Sequence, residues 1–336
     1  MEIKNVIVIG ASAGGIKAVT ELISKIPENL PVALFVVIHM AKNSHPDVII
    51  HQLQKKTSYH CTLSQDGEDI KAGYLYMAAP DQHLLVKPGL IRLIKGAHEN
   101  RWRPAIDVLF RSAAVAYDSH VIGIILSGMM DDGTSGMSAI KRCGGICIVQ
   151  EPAEAEFIDM PVNVLSNVNV DYRVPIADMG YIIDDIVSKP VTRVSSIPED
   201  VKIEADITER MVSDIKVLST IGTHSNFTCP DCGGGLWEIK NDAHRRYRCH
   251  TGHVYTEKAL VDKQGEEMEE SLWISIRMME ERRNLLLNIL WRNQETGSIH
   301  VNGYQNKADT LSMHIERLKH LLLSISKTDN TDKSYL

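Results

Sequence analysis

"VIVIGASAGGIKAV", residues 6–19, decides the fold. A β-branched run stops at Gly10, turns through Ala11, Ser12 and Ala13, passes Gly14 and Gly15, and enters helix-forming residues. That order reads as a buried strand, a tight turn and a helix. A helix that starts there directs free backbone N–H groups at any negative charge above the turn. Gly10 to Gly14 also fit G-x-S-x-G, an elbow that exposes a serine hydroxyl. The turn alone suits a phosphate cradle, an oxyanion site beside a nucleophilic Ser12, or a plain strand–helix connection.

Working outward, short apolar runs at Val6–Ile9, Ala33–Ile38, Tyr74–Ala78, Val121–Leu126 and Ile146–Val149 alternate with helical stretches such as Ile16–Ile26, Ile106–Ala116 and Ser135–Arg142. Buried strands alternating with helices predict an α/β fold, a doubly wound and mainly parallel sheet. Leu84–Val86 and Ile91–Ile94 flank Lys87-Pro88-Gly89-Leu90 and predict an appended β-hairpin. From Ser188 the pattern changes. Residues 188–225 read as a polar linker and one helix, roughly Val201–Ser219. Residues 226–256 form a Cys/His/Gly module, 257–326 two long helices joined at "TGSIHVNG", and 327–336 a frayed tail.

A dinucleotide site is excluded. Ser12 stands where the second glycine of G-x-G-x-x-G belongs, and His39, not an acid, ends the second strand. A histidine there faces the same crevice as the first turn, where open α/β sheets bind ligands. Strand Val121–Leu126 leads into Asp131 and Asp132 at its carboxyl end. Serine needs a base, and the base needs an acceptor to fix its tautomer. Spacing leaves Asp131, Asp132 and a helix-capping role open.

Seven stretches occur in order: "GASAGG" (10–15), "VVIHM" (36–40), "APDQHL" (79–84), "RPAIDVLFRSAA" (103–114), "LSGMMDDGTSG" (126–136), "GGICIVQ" (144–150) and "DMP" (159–161). Over residues 1–187 the chain resembles the catalytic domain of the chemotaxis protein-glutamate methylesterases, the CheB type. The resemblance implies Ser12, His39 and Asp132 as a triad in that chain order, with the backbone N–H of Met129 as an oxyanion donor beside the Ala13 N–H that the helix start offers. It implies hydrolysis of γ-glutamyl methyl esters on the cytoplasmic helices of a chemoreceptor-type protein, and deamidation of glutamine there. A cognate methyltransferase or histidine kinase is a further implied partner. His83, Arg101 and Arg103 lie in or beside motif stretches and are candidate substrate contacts. Three positions depart from the common pattern: Ala13 replaces a frequent threonine, Met130 a glycine, and Asp131 a small residue. The chemotaxis enzyme carries a phospho-accepting domain before its catalytic domain. This chain opens on the catalytic strand, so control by phosphorylation in cis is not expected.

Cys229, Cys232 and Cys249 are joined by His250 and His253 in C-x2-C…C-H-x2-H. Three thiolates and one imidazole suit a closed structural Zn2+ site, a zinc-ribbon-like module. The C-x-x-G-H ending that the resemblance brings implies His253 over His250. No cofactor is expected for catalysis. Cys61, Cys143 and Cys147 lack ligand spacing. Six cysteines behind a start with no signal-peptide pattern suit a reducing cytoplasm. No apolar run is long enough to span a bilayer. The run "HRRYR" (244–248) is the one hint of nucleic-acid binding. A net charge of −7 over 336 residues opposes it, and no nucleic-acid partner is expected. The rival to an esterase is a non-catalytic sensory scaffold that retains the fold.

Overall fold

The computed structural model describes residues 3–191, 196–211, 213–296 and 303–332. Part of the linker, most of the "TGSIHVNG" turn and the last four residues lie outside them. The chain forms two compact units, Met1–Leu260 and Val261–Leu336.

In the first unit β1 (Asn5–Ala11), α1 (Gly15–Ile23), β2 (Val32–Ile38), α2 (Pro46–Gln54), β3 (His60–Leu63) and β4 (Tyr74–Met77) build one half of a sheet. A hairpin of β5 (His83–Lys87) and β6 (Leu90–Ile94) follows. Then α3 (Ile106–Tyr117), β7 (Val121–Ile125), α4 (Thr134–Arg142), β8 (Ile146–Gln150), α5 (Asp159–Asn167), β9 (Tyr172–Val174) and α6 (Ile176–Ser188) complete the other half. The sheet is parallel throughout, in the order β3-β4-β2-β1-β7-β8-β9.

The uninterrupted apolar run of β1 has a simple cause. Val6 and Val8 face Phe110 of α3 and Ile140 of α4, whereas Ile7 and Ile9 face Leu22 of α1 and Ile183 of α6. Both faces are covered, so alternation disappears. From β1 the chain turns first to β2 and later, beyond the hairpin, to β7 on the other flank. This reversal opens a crevice at the carboxyl end of β1.

α7 (Glu199–Arg210) and α8 (Ile215–Ile221) stand where the sequence reads as one helix. Met211 turns left-handed at φ 63°, and the Asp214 side chain caps α8 by accepting from the Lys216 amide. A four-stranded antiparallel sheet follows: β10 (Gly222–Thr228), β11 (Gly235–Ile239), β12 (Arg246–Cys249) and β13 (Val254–Thr256). α9 (Glu257–Thr296) starts in this unit and continues into the second. There it packs with α10 (Tyr304–Asp332) around Ile276, Ile315 and Leu322. α10 runs past Ser326 into the segment read as a tail. Among the described residues, no helix is long and apolar enough to cross a membrane.

The basic run 244–248 turns inward. Arg246 and Arg248 are among the most buried side chains. With Arg111 of α3 they meet Glu99, Glu204 and Asp242, three cations against three anions. Glu99 binds Arg111 and Arg248 at 2.6 Å each, and Arg246 grips Glu204 with two bonds of 2.9 Å. Of the run's three arginines only Arg245 is exposed, and it lies beside Glu238 and Glu257. Burial alone would raise the Glu99 carboxyl, but Arg111 and Arg248 draw it down to about 2. The same kind of surroundings hold Glu204 well below the carboxylate range. Lowered carboxylates stabilise the fold above their unfolded values and lose that contribution as pH falls through the folded ones. The thermal midpoint is thus expected to fall as pH drops from about 4.5 toward 2. Glu99→Ala should lower unfolding free energy by about 3–5 kcal/mol in a urea titration at pH 7, because it leaves buried guanidinium charge unpaired. A loss below about 1 kcal/mol would show that Glu204 and Asp242 suffice to neutralise all three arginines.

Candidate active site

Ser12 follows the last residue of β1, and its amide bonds to the Ser127 carbonyl at 3.0 Å. His39 follows β2 and continues the ladder through its amide to Ala11 at 3.1 Å. Adjacent strand ends thus bring the two side chains together. His39 Nδ1 lies 3.2 Å from Ser12 Oγ, and His39 Nε2 lies 2.8 Å from Asp132 Oδ2. Nε2–H donates to the carboxylate, which leaves the Nδ1 lone pair facing the hydroxyl. This ring orientation is opposite to the serine-protease one, where Nε2 meets the serine.

Asp132 is 1% exposed. Oδ2 also accepts the Ile106 amide at 2.7 Å, and Oδ1 accepts Asn100 Nδ2 at 2.9 Å and the amides of Asp107 and Gly133. Burial pushes its carboxyl up. The hydrogen bond and charge of His39, with these donors, outweigh burial and hold it below the ordinary range. Neighbouring Asp107 accepts Gly133 and Gly136 amides and Asn100 Nδ2. Burial and then the Asp132 charge push the Asp107 carboxyl well above the ordinary range. Asp131 does not reach His39. It is half-buried, and its side chain bonds to Thr256 of β13.

Among the described residues, the amides of Ala13, Gly14 and Met129 make no hydrogen bond. Gly14 caps α1 at φ 70°, where a Cβ would lie 2.9 Å from Ser127 Oγ. Gly128 admits the close pass of Met160; a Cβ there would stand 2.9 Å from Ser12 Cβ. Ser12 and His39 open onto a cleft of about 600 Å3 whose walls include Lys17, Gln52 and Lys56. The arrangement has a hydroxyl, a base with an oriented lone pair, a buried counter-charge and unpaired amides. It can carry out nucleophilic acyl transfer.

Other expected contacts lie elsewhere. His83 is fully buried, donating to the Ala97 carbonyl at 2.8 Å and accepting the Ala105 amide at 3.2 Å. Both ring nitrogens are thus committed to backbone groups. Arg103 is committed to Asp81 and the Gly96 carbonyl. Hydrogen bonds from Arg103 and Lys95 hold the Asp81 carboxyl well below its usual range. Arg101 is half-buried in the same loop. That loop also carries three groups the sequence reading passed over, together with the α3 start: Asn100, Asp107, and Trp102, whose ring stacks on His39 at 4.2 Å between centroids. Met130 takes φ 69°, a left-handed turn that favours glycine, and its side chain packs on the core of the four-stranded sheet.

In that sheet Cys229, Cys232, Cys249 and His253 place one ligand atom each within 4.8 Å of the others. Cys232–Cys249 is 3.7 Å, Cys229–His253 Nδ1 3.7 Å and Cys249–His253 Nδ1 3.5 Å. Metal–sulfur bonds of about 2.3 Å give a tetrahedron with edges of about 3.8 Å, so the donor set fits a metal ion such as zinc. His250 is outside the cluster, with its ring against Gly234. Cys61, Cys143 and Cys147 are buried free thiols, raised by burial to about 11, 11 and 12.

Known proteins resemble the first part of this chain. The model of the family described as CheB methylesterase matches residues 7–183. A protein-glutamate methylesterase/protein-glutamine glutaminase of Trichodesmium erythraeum is 34% identical over 179 residues, which are 51% of this chain and 49% of that one. A relative from Leptospira interrogans, whose methylesterase/glutaminase name carries a provisional qualifier, is 36% identical over 167 residues, 49% of this chain and 86% of that one. The crystal structure of the Thermotoga maritima CheB methylesterase catalytic domain superposes with a TM-score of 0.52 at 30% identity, covering 54% of this chain and 98% of that one. Sequence match and fold agree from β1 to α6, and the chain belongs to the CheB methylesterase family.

Proposed function

We propose that this chain is a cytoplasmic protein-glutamate methylesterase acting on methylated helices of a chemoreceptor-type protein, with residues 1–187 as its catalytic domain. The observation that carries the reading is the hydrogen-bonded line from Ser12 through His39 to Asp132, beside the unpaired amides of Ala13 and Met129. Ser12 Oγ attacks the ester carbonyl and passes its proton to His39 Nδ1. Asp132 holds Nε2–H and stabilises the imidazolium. The amides receive the oxyanion. The proton then goes to the departing methoxide, methanol leaves, and water repeats the sequence to free Ser12 and the glutamate carboxylate. The same steps on glutamine release ammonia. Zn2+ in the Cys229/Cys232/Cys249/His253 cluster is structural in this reading and supplies folding energy, with no share in the chemistry. Arg101 and the cleft lysines Lys17 and Lys56 are the groups we assign to a glutamate-rich receptor surface.

The test is methanol release from methylated receptor cytoplasmic fragments by the full, folded chain, with mass spectrometry locating the new carboxylate. Release with Ser12 intact supports the reading. Failure across a panel of receptor fragments overturns it and favours the scaffold.

A further inference from the structure

We propose that the Cys3His module is the clamp that aligns His39 with Asp132, so that metal loading sets catalytic competence. Asn100 and Trp102 act as the positioning residues. The inference rests on the esterase reading for its kinetic readout alone.

Loop 98–103 reaches the candidate site at one end. Asn100 Nδ2 bridges Asp132 and Asp107, and Trp102 covers the His39 ring. At the other end the loop belongs to the module. The Asn100 amide donates to the Val254 carbonyl at 2.8 Å, and the Val254 amide donates to the His98 carbonyl at 3.2 Å. Val254 directly follows the ligand His253. Arg248, directly before the ligand Cys249, holds Glu99 at 2.6 Å. Asn100 and Arg101 sit consecutively at φ 51° and 72°. Two adjacent left-handed residues that are not glycine persist only where their surroundings over-determine them. Here the surroundings are β12, β13 and the turn between them, the hairpin that carries Cys249 and His253, two of the four ligands. The loop that carries Asp132 is tied to the same strands through Asp131 and Thr256 and through Met130.

A module this small depends on its metal for folding. Removal of the metal frees β13, lets the loop relax from its left-handed turn, and withdraws both Asn100 and Trp102. Displacement of about 1 Å by a change far from the chemistry can cost about 100-fold in rate.

The experiment compares zinc-loaded full chain with the same chain after zinc removal by a chelator with reversible thiol titration. Zinc content, far-ultraviolet circular dichroism, kinetics and the low-field proton resonance of His39, assigned with His39→Gln, are read together. The expected result is an intact parallel sheet, a lost or shifted His39 resonance, and kcat about 100-fold lower with KM within about twofold. In Asn100→Ala, zinc removal should cost much less than in wild type, since the two changes act through one contact. An unchanged His39 resonance in zinc-free protein, or additive effects of zinc removal and Asn100→Ala, overturns the proposal.

Should zinc removal unfold the whole chain, Glu99→Gln takes its place. It keeps every ligand, and it should retain zinc while shifting the His39 resonance; an unshifted resonance overturns the proposal. The resonance is also followed in Ser12→Ala. A shift there, with no methanol released by wild type, would retain the clamp and reject the esterase.

Discussion

Ser12→Ala is expected to lower kcat for methyl ester hydrolysis by about 10⁴–10⁶-fold while leaving KM within a few fold. Without Oγ, His39 Nδ1 has no hydroxyl to deprotonate. Only the amides at Ala13 and Met129 and the binding of the receptor helix remain. In other serine enzymes such remnants retain about 10³–10⁴-fold over water. Because the side chain is small and partly exposed, the fold should be unaffected. Methanol release by both proteins under saturating receptor fragment measures the ratio. A variant within tenfold of wild type would remove Ser12 from the chemistry, and the crevice would then need another nucleophile or a directly activated water.

Asp132→Asn is the second large effect, about 10⁴-fold in kcat. The carboxylate holds His39 with Nε2–H toward Asp132 and the Nδ1 lone pair toward Ser12. An amide in its place can donate to Nε2, which moves the ring proton to Nδ1 and leaves the serine facing a donor. The substitution is nearly isosteric, yet the site accepts hydrogen bonds from three backbone amides and from Asn100. An asparagine NH2 turned toward any of those donors clashes electrostatically, so a loss of stability accompanies the loss of rate. Parallel urea titration and methanol release separate the two. Activity recovered at higher pH to within tenfold of wild type would indicate that Asp132 tunes the base without fixing its tautomer.

Much of the fold was legible because its parts are local. The run at Val6–Ile9 and the glycines after it specify strand, turn and helix among themselves, and adjacent strand ends make Ser12 and His39 neighbours in any doubly wound sheet. Metal-ligand spacing is likewise written in sequence. What escaped reading depends on distant partners. Asp131 and Asp132 are chemically identical in sequence, and only Thr256, 125 positions later, draws one of them away. Asn100 and Trp102 gain meaning from β13. Arg246 and Arg248 look like surface charge until Glu99 and Glu204 are seen behind them. His83 sits in a motif stretch, and its burial follows from the loop that folds over it. The break at Met211 came from a local cap at Asp214 whose signal a continuous helical pattern concealed.

The buried arginine–carboxylate cluster has one more effect, felt outside the molecule. Arg111, Arg246 and Arg248 are cancelled in place by Glu99, Glu204 and Asp242, so none of the six contributes to the outer field. The formal charge of −7 is carried by the rest of the chain. A glutamyl methyl ester is neutral, and its hydrolysis product is an anion. Under the methylesterase reading, the net negative field opposes an anionic, demethylated receptor at a distance, and the cleft lysines Lys17 and Lys56 act against it at close range. Salt then acts in opposite directions on the two terms, screening the distant repulsion before the contacts made inside the cleft.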